Sequence, residues 1–164
     1  MKRVLALQFD PLCTTALVGA RLHQIGVETI VRRCDLNPKP NSKDLDCDGL
    51  LILGGAQSLL DDRHSTMFEH AKDTTRYFHE KQRPVLGICL GTQIIGSAFG
   101  AAVKRAPELQ FGFLDVHFTA ARENDRLLSD QEKVNKIWCW HEDCTELPEG
   151  SVHLASTDAI ENYG

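Results

Sequence analysis

Three segments of the chain are apolar runs rather than alternating, and each is bounded by residues that turn the backbone. Val4 to Phe9 runs into Asp10-Pro11, Gly49 to Leu53 runs into Gly54-Gly55, and Val85 to Ile88 follows Arg83-Pro84. Apolar side chains at successive positions suit strands covered on both faces, the environment of a parallel sheet with helices on either side. The intervening stretches fit that arrangement. Thr14 or Thr15 caps a helix that places Leu17, Val18, Arg21, Leu22 and Ile25 near one face, with Gly26 as its terminator. Val27 to Val31 reads as a further strand, 37–48 as a solvated connection, Phe68 to Gln82 as a surface helix and Thr92 to Phe99 as another helix. Strands alternating with helices require crossovers, so the sheet is expected to be mainly parallel. From Val103 the pattern changes to short strand-like pieces, Phe111 to Thr119 and Lys136 to Trp140, separated by polar turns.

With 164 residues and 42% hydrophobic content, the chain has the material for one core, and a single domain over 1–164 is expected. A net charge of -5 with both signs interspersed offers no basic stripe for a phosphate backbone, which argues against nucleic acid. The basic start Met1-Lys2-Arg3 is followed by an apolar run too short for a signal-peptide core, and no segment has the length of a membrane helix. The six cysteines, Cys13, Cys34, Cys47, Cys89, Cys139 and Cys144, then read as reduced thiols of a cytoplasmic protein. No phosphate-binding glycine motif occurs, and no cofactor is expected.

The chemistry concentrates at Gly87-Ile88-Cys89-Leu90-Gly91, where an apolar strand meets a helical segment. This is the cysteine counterpart of the serine elbow, in which glycines two residues to either side let strand and helix approach closely enough to hold the nucleophile in a strained turn. At the start of the helix, backbone N–H groups and the helix dipole favour a thiolate. The Leu90 N–H then points toward a carbonyl under attack, and Gly54-Gly55 offers a second donor for an oxyanion hole. A plainer reading stands beside this one: Cys89 as a core cysteine, with glycines that serve only packing.

The longer string Pro84-Val85-Leu86-Gly87-Ile88-Cys89-Leu90-Gly91-Thr92-Gln93 resembles the signature of class I glutamine amidotransferases. The resemblance covers nearly the whole chain, especially toward the glutaminase domain of guanosine monophosphate synthetase and its free-standing relatives. Leu51-Ile52-Leu53-Gly54-Gly55 is similar to the family's oxyanion strand, with Ala56 where a proline usually follows. Glu108-Leu109-Gln110-Phe111-Gly112 resembles a segment near the pocket. Trp138-Cys139-Trp140-His141-Glu142-Asp143 resembles the family's W-H-G-D strand, with Glu142 in place of the glycine, and Leu147-Pro148-Glu149-Gly150 its L-P-G turn. The resemblance implies Cys89 as nucleophile, Gly55 and Leu90 as oxyanion donors, and Gln93, His141, Glu142 and Asp143 as the substrate-binding set. It also implies glutamine or a related γ-glutamyl compound as substrate and a synthetase as acceptor of the ammonia. Glu142 would narrow the pocket or shift its specificity.

The family's base and its orienting acid lie in a C-terminal H-P-E motif, and none of the seven histidines here is followed two residues later by glutamate. A C-terminally truncated domain is therefore expected, nearly inactive as it stands, with a naturally incomplete, non-catalytic binding subunit as the alternative. A hydrolase acting on another γ-glutamyl compound is the third reading. His141-x-Asp143 is the nearest substitute pair, since alternate residues of a strand share a face. Zinc held by Cys139, His141 and Cys144 matches no standard ligand spacing, and no metal is expected. The fold expected is a flavodoxin-like, open α/β sheet, mainly parallel and flanked by helices, with a C-terminal antiparallel extension.

Overall fold

The computed structural model describes residues 1–163, which form two compact units, Met1–Phe99 and the residues from Gly100 onward. In the first, β1 (Arg3–Gln8), β2 (Glu28–Arg33), β3 (Gly49–Ile52) and β4 (Val85–Gly87) make a fully parallel sheet in the order β2-β1-β3-β4. The helices α1 (Ala16–Gln24), α2 (Ser42–Leu45), α3 (Ser65–Glu80) and α4 (Leu90–Ala98) fill the connections. This is the flavodoxin-like arrangement that the apolar runs imply, and it carries the ends of β1, β3 and β4 to one edge of the sheet.

The period-two geometry of the strands divides the core. Leu5, Leu7, Leu50 and Ile52 point to one face, where Phe68, Ala71 and Phe78 of α3 and Leu90 and Ile94 of α4 cover them. Ala6, Leu51 and Leu53 point to the other, against Val4 and Val18. All four residues of β3 are buried, as a central strand requires.

Three expectations need correction. β4 is not buried: Leu86 is 46% and Ile88 39% exposed, because among the described residues β4 pairs only with β3 and lies at the sheet edge. In α1 no residue is fully buried, and Leu17 and Ile25 face solvent, since the helix turns Val18 toward the sheet. The connection 37–48 holds one helical turn rather than only loop. Asn41 accepts from the Lys43 and Asp44 N–H groups while the Asp44 carboxylate accepts from the Asn41 N–H, a reciprocal cap. Arg32 of β2 pairs with the same buried carboxylate, which ties the turn to the sheet.

The second unit is an antiparallel sheet in the order β6-β5-β7, formed by β5 (Val103–Phe118), β6 (Val134–Thr145) and β7 (Ala155–Ser156). Its two main strands are longer than the short pieces expected. Pro107 looks like a strand breaker, but it sits where the register shifts between Arg105 and Gln110, so the ladder does not need its missing N–H. No helix among the described residues is long and apolar enough to cross a membrane.

Candidate active site

The turn from β4 into α4 is a backbone-to-backbone contact that only glycine permits. A Cβ on Gly91 would stand 2.2 Å from the Ile52 carbonyl oxygen, and one on Gly87 would stand 2.6 Å from the Gly91 carbonyl group. The Ile88 N–H donates to the same Ile52 carbonyl at 2.9 Å, so the end of β3 anchors the turn. Chain direction then reverses at Cys89, whose φ of 54° and ψ of -112° lie in a region that residues with a side chain rarely adopt. Its thiol is exposed. The alternative of a core cysteine is thereby excluded, while Cys34, Cys47, Cys139 and Cys144 are the buried ones.

The first turn of α4 donates back to its own start. Gly91 N–H reaches the Ile88 carbonyl at 2.9 Å, and the Thr92 and Gln93 N–H groups reach the Cys89 carbonyl at 2.9 and 3.4 Å. The Leu90 N–H has no backbone acceptor among the described residues, as befits a first-turn donor. Gly54 and Gly55 pass directly beside this turn. A Cβ on Gly54 would stand 3.5 Å from the Cys89 Cβ, and one on Gly55 2.9 Å from the Leu90 side chain. Gln57 Nε2 donates to the Phe9 carbonyl at 3.1 Å and joins this loop to the end of β1. Cys89, Leu90, Gly55 and Gln93 are thus gathered in one unit, and Gln93 is buried rather than an exposed helix residue.

Cys13, to which the sequence assigned no role, belongs to the same neighbourhood. Its burial, the Asp10 carboxylate and Cys89 itself all push its thiol above the ordinary range. Its sequence position in a loop 76 residues from Cys89 carries no signal of that proximity.

His141, Glu142 and Asp143 lie together on β6 of the second unit. His141 is bonded to the Asp143 main chain: Nδ1 is 3.2 Å from the Asp143 carbonyl and Nε2 3.1 Å from the Tyr163 hydroxyl. The Tyr163 hydroxyl, unremarked in the sequence, also lies 2.6 Å from the Cys139 sulfur. Arg105 bridges the acids, its Nη1 2.7 Å from Glu142 Oε2 and 3.0 Å from Asp143 Oδ1. Among the described residues no group of three acidic, histidine or cysteine side chains is placed to hold a metal ion.

Burial holds the His141 imidazole below its ordinary pKa of 6.5, against the opposing pull of the Asp143 carbonyl and charge. The unfolded chain takes up this proton more readily than the folded one. The stabilisation is therefore complete above about pH 6.5 and is lost as pH falls toward the folded pKa. Thermal melting of the native chain is expected to suffer more from acidification than that of His141→Gln. Equal pH dependence in the two proteins would rule out His141 as the source.

A family model described as glutamine amidotransferase class-I matches residues 13–164. The GMP synthases (glutamine-hydrolyzing) of Aliivibrio fischeri and Vibrio atlanticus are each 28% identical over 158 residues, 96% of this chain. The chain spans 28% of the length of those relatives. A glutamine amidotransferase structure from Thermotoga maritima superposes with a TM-score of 0.87 at 18% identity, covering 98% of this chain and 69% of that one. One from Methylobacillus flagellatus gives 0.86 at 25% identity, covering 99% and 64%.

Proposed function

Since the chain belongs to the class-I glutamine amidotransferase family, we propose that Cys89 is the nucleophile that releases ammonia from the side-chain amide of glutamine. The sulfur attacks the amide carbon, and the C–N bond breaks as the nitrogen gains a proton and leaves as ammonia. Water then cleaves the γ-glutamyl thioester to glutamate and restores the thiol. Backbone N–H groups of Gly55 and Leu90 stabilise the tetrahedral oxyanions of both steps. Gln93, buried in the first turns of α4, is assigned to substrate binding. The ammonia is passed to a synthetase-type partner.

One observation carries this reading: an exposed thiol held at positive φ on a strand-to-helix turn, with the Gly54-Gly55 strand end packed beside it. A thiol serving only the core has no use for that strain. The two steps also need a proton carrier, and no His-x-Glu pair occurs among these 164 residues. Both ring nitrogens of His141 are engaged within its own unit, which supports a structural part for it rather than that of the missing base. The 164 residues by themselves are therefore expected to bind and be acylated but to turn over slowly. The second reading is a binding or regulatory subunit.

A diazoketone analogue of glutamine tests the proposal, because it needs the nucleophile and the pocket but little help from a base. Intact mass should show one adduct, placed by peptide mapping on Cys89, with glutamine protecting against it. A γ-glutamyl compound protecting better than glutamine would redirect the assignment to another substrate. Failure of Cys89 to react faster than an unfolded thiol would end the enzymatic reading and leave the binding subunit.

A further inference from the structure

The antiparallel sheet of the second unit has its faces the wrong way round for a strand pair in water. One face carries the buried residues Gln110, Val116 and Cys139. The other, which in such sheets is ordinarily polar, carries Phe111, Phe113, Trp138 and Trp140 at 56, 68, 55 and 70% exposure. Register pairs Phe111 with Trp140 and Phe113 with Trp138, so the four form two adjacent rungs of one ladder. They stack edge to face, with ring centres 5.3 to 5.8 Å apart. Val134 continues the row along β6 and is also exposed.

We propose that this ladder is the interface through which two copies of the chain associate about a two-fold axis. Area is the first argument. Aromatic side chains bury ~150–250 Å² each, so at these exposures the four rings leave on the order of 500 Å² in water. That is near the upper end of the largest apolar patch on a typical monomer. Two such faces together remove about 1,000 Å², the lower bound for a specific association, before Val134 is counted.

Charge is the second argument. The ladder is flanked at one end by Lys136 and Asp115, 2.7 Å apart, and at the other by Arg105 and Glu142, also 2.7 Å apart. Each end holds both signs, so the rim of the patch is not a single-sign field that would hold copies apart. A two-fold operation that runs the copies antiparallel sets each ion pair against the other kind, where opposite signs can meet. Aromatic rings ringed by charge are the usual core and rim of an interface. The face lies within the second unit, so the inference stands apart from the assignment of Cys89.

The chain's two tryptophans both belong to the ladder, so tryptophan emission reports on this face alone. Sedimentation equilibrium from low to high micromolar concentration is expected to show the mass doubling, with a parallel blue shift of emission. Phe113→Glu, at an exposed position, should keep the native far-ultraviolet dichroism yet stay at monomer mass with red-shifted emission throughout. A native chain that remains monomeric over the range would overturn the proposal and leave the face to a different protein. So would a Phe113→Glu chain that dimerises like the native one, or a mass that grows beyond twofold.

Discussion

In a Cys89→Ala chain, capture of the glutamine-shaped diazoketone is expected to fall to the background of the other five thiols. That background should be very low. Burial pushes the Cys34 thiol up to about 12, and burial likewise raises Cys47, so neither offers appreciable thiolate near neutral pH. Cys139 and Cys144 are buried in the second unit, and in the variant Cys13 is still held high by its own burial and Asp10. The native protein and the variant should therefore differ by roughly 10³-fold or more in adduct rate, the scale on which removing a nucleophile acts. Cys13 supplies an internal control. If the adduct in the native protein maps to Cys13, the exposed thiol at the elbow is not the reactive one, and the assignment of Cys89 fails.

The second large effect concerns the support of that thiol. Gly91→Ala is expected to destabilise the first unit by about 3 kcal/mol, the upper end of ordinary overpacking, because the new methyl meets main chain at Ile52 rather than a side chain that can rotate away. A chain of this size should then lose on the order of 10 °C in melting temperature. The sheet and α4 would have to separate at the point where Ile88 is anchored, so labelling of Cys89 should fall as well. Gly54→Ala is the matched contrast. Its Cβ makes only ordinary contacts at 3.5 and 3.6 Å, and its cost should stay below about 1 kcal/mol. Equal melting losses in the two variants would mean that the backbone contact at Gly91 is not what fixes the elbow.

How much of this could be read from residues alone depended on the range of the interaction. The elbow was legible because its constraint is local: a nucleophile two residues from each glycine leaves few ways for strand and helix to meet, and the contacts at Gly87 and Gly91 are of that kind. The parallel sheet was legible from β1 and β3, whose apolar runs are buried in full or nearly so. β4 has the same composition and yet is exposed, since position within a sheet is decided by pairing partners that a strand's own residues do not name. For α1, apolar spacing defined a face, but which part of it met the sheet depended on packing with Val18. The aromatic ladder failed for a related reason. Phe111 and Phe113 alternate in one strand and Trp138 and Trp140 in the other, but that spacing does not say which side of the sheet is wet. The nearness of Cys13 to Cys89 and of Tyr163 to His141 arises from chain segments far apart in sequence, and no spacing rule reaches them.

The φ of 54° at Cys89 sets folding against chemistry at a single residue. A residue with a Cβ held there costs about 1–3 kcal/mol, and glycine would relieve most of it. Cys89→Gly is thus expected to give a chain that melts higher than the native protein while losing the adduct entirely. On the proposed role of Cys89, that strain is the cost of holding its thiol clear of the core at the start of α4.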